Sequence, residues 1–134
     1  MTNKNTNMIE NMKVKLQALW IFVIFNYAYA DIHTIFDKTI VSNMSQGALL
    51  GSAVLMETSI VMVLLTRILP YRANRWANIV VGVINTLAVL LSLTVSGKMP
   101  ALYYLFFAVI EIVTTLVIVW LAWNWPKPEG SPNT

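Results

Sequence analysis

Cysteine is absent from this 134-residue chain, histidine occurs once, and only 11% of residues are charged. Without cysteine there is no disulfide, no thiolate metal site and no thiol redox relay, and cysteine usage carries no information about compartment. One histidine and no thiol leave most nucleophilic schemes short of a base or a nucleophile, and no glycine-rich phosphate loop is present. The residues call for no cofactor. Charge is sparse, and the nine basic residues stand singly near the ends of apolar segments instead of forming a patch or stripe, which argues against a nucleic-acid interface.

The chain is rich in apolar residues, at 57% of the total, and its mean hydropathy is +0.66. That composition leaves too little polar surface to coat a soluble globule, so the expected solvent and principal partner is a lipid bilayer. Four apolar stretches run from about 14 to 36, 47 to 69, 75 to 95 and 101 to 125. Each has the roughly 20 residues that cross a hydrocarbon core of about 30 Å as a helix. Helices are required because unpaired backbone in lipid is prohibitive. The predicted fold is all-α, an integral membrane bundle of four transmembrane helices over residues 13–125. The Asn-rich stretch 1–12 and the Pro/Gly-rich stretch 126–134 read as disordered tails.

Lys4, Lys13, Lys15, Arg67, Arg72, Arg75 and Lys127 all fall at one end of this arrangement, and Lys38 and Lys98 at the other. The positive-inside rule then predicts both termini in the cytoplasm of a multi-pass cell-membrane protein. Trp20, Trp76, Trp120, Trp123 and Trp125 border the same end and read as an interfacial aromatic belt. Lys13, Lys15, the apolar run that follows and Ala28-Tyr29-Ala30 imitate a secretory signal with its cleavage site. The polar pair Asn26-Tyr27 interrupts the approach to that site, so the segment reads as a retained first helix.

The strings LWIFVIFNYAYAD, LLGSAVLMETSIVMVLLTRILPYRANRWANI and YYLFFAVIEIVTTLVIVWLAWNW resemble an uncharacterised prokaryotic family of small four-helix membrane proteins, itself loosely similar to DoxX-like proteins. The likeness spans about residues 16 to 125. It implies the bundle fold and a cytoplasmic-membrane location, and it brings no catalytic residue.

Depth is the most informative feature of the polar residues. Asn26, Glu57, Asn85 and Glu111 each lie within about two residues, or about 3 Å, of the middle of their stretch. A charge at the bilayer centre costs about 2.5–3.5 kcal/mol on insertion scales, so such residues are expected to face a bundle interior. Glu57 and Glu111 are therefore predicted to face each other, flanked by Asn26 and Asn85. With no Lys or Arg at their depth, they are expected to hold their protons at rest.

Helical phase adds supporting residues. Asn74, Asn78, Asn85, Ser92 and Ser96 share one face within about 40°, as do Tyr104, Glu111 and Thr115, with Ala122 continuing that line. Asn26, His33 and Asp37 share another, so polarity rises away from the termini. His33 and Asp37 stand at i, i+4 without a third ligand, and no metal site is predicted. Gly47 and Gly51 form a small-xxx-small pair expected to serve close packing within the bundle or, as the alternative, self-association.

Three functions are compatible with these residues. The first is a membrane protein whose midplane Glu/Asn layer binds an unidentified small ligand or cation with proton exchange. The second is a non-catalytic membrane subunit whose polar layer only joins helices, worth about 0.6 kcal/mol per bond in measured cases. The third is a membrane enzyme or redox accessory acting on a lipid-soluble substrate. A chain this short also leaves room for a homo-oligomer.

Overall fold

A computed structural model describes residues 2–38, 42, 44–95 and 99–127. Among the described residues four long helices follow in order: α1 (Thr2–Phe36), α2 (Gln46–Ile68), α3 (Tyr71–Val95) and α4 (Leu102–Trp123). All four are long and apolar enough to cross a membrane, and no strand occurs among the described residues. Local chemistry sets the boundaries. Ser45 caps α2 by accepting the Ala48 amide at 3.1 Å, replacing a bond the first turn cannot make internally. Pro70 forbids continuation past Leu69 and restarts the chain as α3, with Asn74 N–H bonded to the Pro70 carbonyl at 2.9 Å. Two residues thus suffice to reverse direction, and α2 and α3 run antiparallel.

The helix at the amino terminus is longer than the sequence suggests. Residues expected to form a tail, up to Met12, continue α1 back to Thr2. Its 35 residues give a rod of about 52 Å, well beyond the hydrocarbon thickness. The extension is anchored, because Glu10 meets the Arg67 guanidinium at 3.0 Å and Lys13 donates to the Arg67 carbonyl at 3.3 Å. The expected carboxy-terminal tail lies, beyond Lys127, outside the described residues.

The half of the bundle near the termini is close-packed. Leu16, Trp20, Val23, Met62, Ile118 and Trp125 form its buried core. A polar ladder runs through it: Trp20 Nε1 donates to Asn78 Oδ1 at 2.7 Å, Asn78 Nδ2 to Asn74 Oδ1 at 2.7 Å, and Asn74 Nδ2 to the Thr66 carbonyl at 2.6 Å. The tryptophans therefore divide. Trp76, Trp120 and Trp123 are exposed as an interfacial belt requires, whereas Trp20 and Trp125 are buried and belong to the core. Arg75, predicted only as a topological charge, donates to the carbonyls of Ala122 at 3.1 Å and Trp123 at 2.9 Å. It closes the end of α4 where backbone oxygens lack helical partners.

Close approach of α3 and α4 depends on Gly82. A Cβ there would stand 2.7 Å from Val119 Cγ2, and a β-branched side chain in a helix has little freedom to retreat. Gly82→Ala is expected to cost about 1–3 kcal/mol through overpacking, measured as a lower unfolding midpoint in detergent; an unchanged midpoint would show that the pair can separate freely. Gly47 and Gly51 do not have this role. Nothing lies within 4 Å of a Cβ built at Gly51, and Gly47 would meet only Ser45 beside it, so the expected packing of this pair inside the bundle is not found.

Candidate functional site

The other half of the bundle, toward the α1–α2 connection, is open. Small residues face one another there, including Ala30 on α1, Ala48 and Ser52 on α2, and Ala88 on α3, and they leave a cavity of about 610 Å3. Two polar stripes run into it. α1 presents Tyr27, Asp31 and Thr34, and α4 presents Tyr104, Phe107 and Glu111, each at three- and four-residue steps that align on one helical face.

Glu111 is only 5% exposed, and its Oε1 has no hydrogen-bond partner. A buried carboxyl oxygen left unpaired is costly; Thr66 Oγ1, the Tyr103 hydroxyl and Trp125 Nε1 are also buried without partners, but of these four residues only Glu111 lines the cavity. The carboxyl also lies within reach of the Tyr27 hydroxyl. That hydroxyl donates its own proton to Asn85 Oδ1 at 3.0 Å. A phenol has one proton to give, so Tyr27 can donate to the Glu111 carboxyl only by giving up its bond to Asn85.

Asn85 positions this pair. Its Oδ1 also accepts from Ser59 at 3.3 Å, while its Nδ2 donates to the Val81 carbonyl at 2.9 Å and weakly to Thr58 at 3.5 Å. The amide thereby ties α1, α2 and α3 together behind the cavity. Asn26 is satisfied differently, donating to the Phe107 carbonyl at 3.0 Å. Thr115 bonds Thr86 at 2.7 Å, which joins α3 to α4 below Glu111, and Tyr104 donates to Ser92 at 2.7 Å nearer the mouth. Asn78 belongs to the Trp20 ladder in the packed half and touches no part of the cavity.

Glu57 is the chief departure from expectation. Asn26, Asn85 and Glu111 do enter one interior layer, but Glu57 is exposed and points away from the bundle. It follows Leu50 and Val54 and precedes Val61 and Leu64 on the outward face of α2, all four of them exposed. The two glutamates do not face each other. Ser59 and Thr66, which are fully buried, show which side of α2 turns inward. The lining residues that the sequence reading does not include are, among others, Tyr27, Asp31 and Thr34. Their signal is the 27-31-34 spacing, which places all three on one face of α1. His33 is not among the cavity-lining residues: its ring stacks on Tyr103 and lies tilted against Phe107, at centroid distances of 6.0 and 5.3 Å, and no cluster of three His, Asp or Glu suited to a metal occurs among the described residues. The stripe's last member, Ser96, lies outside them.

Fold and site together define a small multi-pass membrane protein of four helices with a half-open, acid-lined interior. The chain belongs to a family of unknown function, DUF6326, whose match extends over residues 4–131. No curated protein and no solved structure matches it. The family match accords with the resemblance drawn from the sequence, but nothing in these comparisons supports DoxX-likeness or a prokaryotic origin.

Proposed function

We propose that the protein binds a small ligand in this cavity and that Glu111 exchanges its proton when the ligand enters. One observation carries the reading: the buried Oε1 of Glu111 has no partner within the protein, and Glu111 is among the residues that line the cavity. Asn85 and Ser59 support the site by holding Tyr27 in place. Native mass spectrometry of gently extracted protein tests it. A bound mass in the native chain is expected, lost in Glu111→Gln, which keeps the shape of the side chain and removes its exchangeable acid. The same bound mass in both, or none in either, would overturn the reading.

A second reading, a non-catalytic membrane subunit, is favoured by Glu57. A carboxyl on the outward face of α2 is suited to meet another chain, and Asn26, Asn74, Asn78 and Asn85 are bonded within the bundle. Nothing in the geometry favours the enzymatic alternative.

The orientation proposed from charge, with both termini in the cytoplasm, has its own test. Single cysteines at Ser42 or Lys98 should react with an impermeant thiol reagent in intact cells, and those at Asn5 or Asn133 should not. The reverse pattern would invert the topology.

A further inference from the structure

Two acidic residues line the cavity, Glu111 in its depth and Asp31 about one helical turn nearer the connection end, and the described lining contains no Lys, Arg or His. Any charge that enters therefore meets one sign only, at a depth where water screens poorly. Nearer the mouth than Glu111, α4 also contributes Phe107 and Tyr104 to the lining, and aromatic rings attract cations. The remaining wall is apolar or small, with Leu55, Val89 and Ala88 among its members. An inorganic cation would gain little from such a wall. A neutral ligand would leave an ionised Glu111 without a counter-charge, and an anion would be repelled.

We propose that the ligand is an amphipathic organic monocation, such as a hydrophobic ammonium or phosphonium ion, whose charged centre sits between Asp31 and Glu111 with its apolar body against Leu55 and Val89. This inference rests on the preceding reading of Glu111 and adds the ligand class. Binding displaces one proton from Glu111. The cation then replaces the proton as partner of the carboxylate, so the net charge of the site is unchanged. Asp31, closer to the mouth, acts on the approaching charge and contributes less once the ion is seated.

The test uses three probes of related shape with the full chain in detergent or nanodiscs: tetraphenylphosphonium, its anionic counterpart tetraphenylborate, and neutral triphenylphosphine oxide. Saturable binding of tetraphenylphosphonium is expected, with release of about one proton per ion in weakly buffered solution. Glu111→Gln should weaken it by roughly tenfold or more, the size of effect that follows loss of one buried charge partner, and Asp31→Asn by less. Ala88→Phe, which fills the cavity without touching charge, should abolish it, and this variant keeps the test decisive if Glu111→Gln folds poorly. Glu111-dependent binding of triphenylphosphine oxide or tetraphenylborate in place of the cation would overturn the ligand class and leave the site intact. If no probe binds in a manner sensitive to Glu111 or Ala88, and native mass spectrometry finds no Glu111-dependent mass, the site itself falls with the class.

Discussion

Trp20→Ala is expected to be among the most damaging truncations in this bundle, lowering stability by about 3–5 kcal/mol. The indole is fully buried, and it begins the ladder that passes through Asn78 and Asn74 to the Thr66 carbonyl. Removal opens a cavity where α1 packs against α2, α3 and α4, and it strands Asn78 Oδ1. Trp20→Phe separates these effects: most of the packing survives, and the remaining loss should be about 1–3 kcal/mol, the cost of one buried polar atom left unpaired. Denaturant titration of both variants in the same detergent measures the difference. If Phe and Ala proved equally harmful, the hydrogen bond would account for the whole effect; if Phe were neutral, the ladder would be incidental to stability.

Glu57→Leu should act in the opposite direction. The carboxyl stands on an exposed face among Leu50, Val54, Val61 and Leu64, and replacing it there should relieve at most the roughly 2.5–3.5 kcal/mol that a charge at the bilayer centre costs on insertion scales. A higher unfolding temperature in lipid nanodiscs and better membrane insertion are the expected results. Consistent with that placement, dicyclohexylcarbodiimide, which partitions into lipid, should modify Glu57 in the native chain, and the modified peptide should disappear in Glu57→Gln. A loss of stability in Glu57→Leu, or a change to a smaller assembly, would show instead that this face meets another chain and that the acid has a partner there.

These opposite expectations for two glutamates at similar depth explain much of what sequence reading could and could not reach. The four spans and their connections follow from length and composition, because lipid admits no unpaired backbone. The polar stripe of α3 was also legible, since Asn74, Asn78 and Asn85 repeat at helical spacing on an otherwise apolar helix, and all three are buried. The rise of polarity away from the termini was legible as well, and the cavity opens in that half.

Rotation about each helix axis was not legible. In water, an apolar stripe marks the inward side. In a bilayer, the surroundings are as apolar as the core, so hydrophobic contrast between inside and outside vanishes and packing decides. α2 illustrates the consequence: its residues are apolar almost all the way round, and only contact with α1 and α3 turns Ser59, Met62 and Thr66 inward and Glu57 outward. The same holds for glycine. Gly47 and Gly51 carry the familiar spacing, yet Gly82 is the one at a close helix crossing, because Val119 of α4 occupies the space beside it. Sequence by itself determined the number of apolar spans and the presence of a glutamate near the middle of two of them. The tertiary structure decided which acid faces protein, which tryptophans leave the interface for the core, and that small residues from α1, α2 and α3 converge on one open space, since each depends on side chains from helices far apart in the chain.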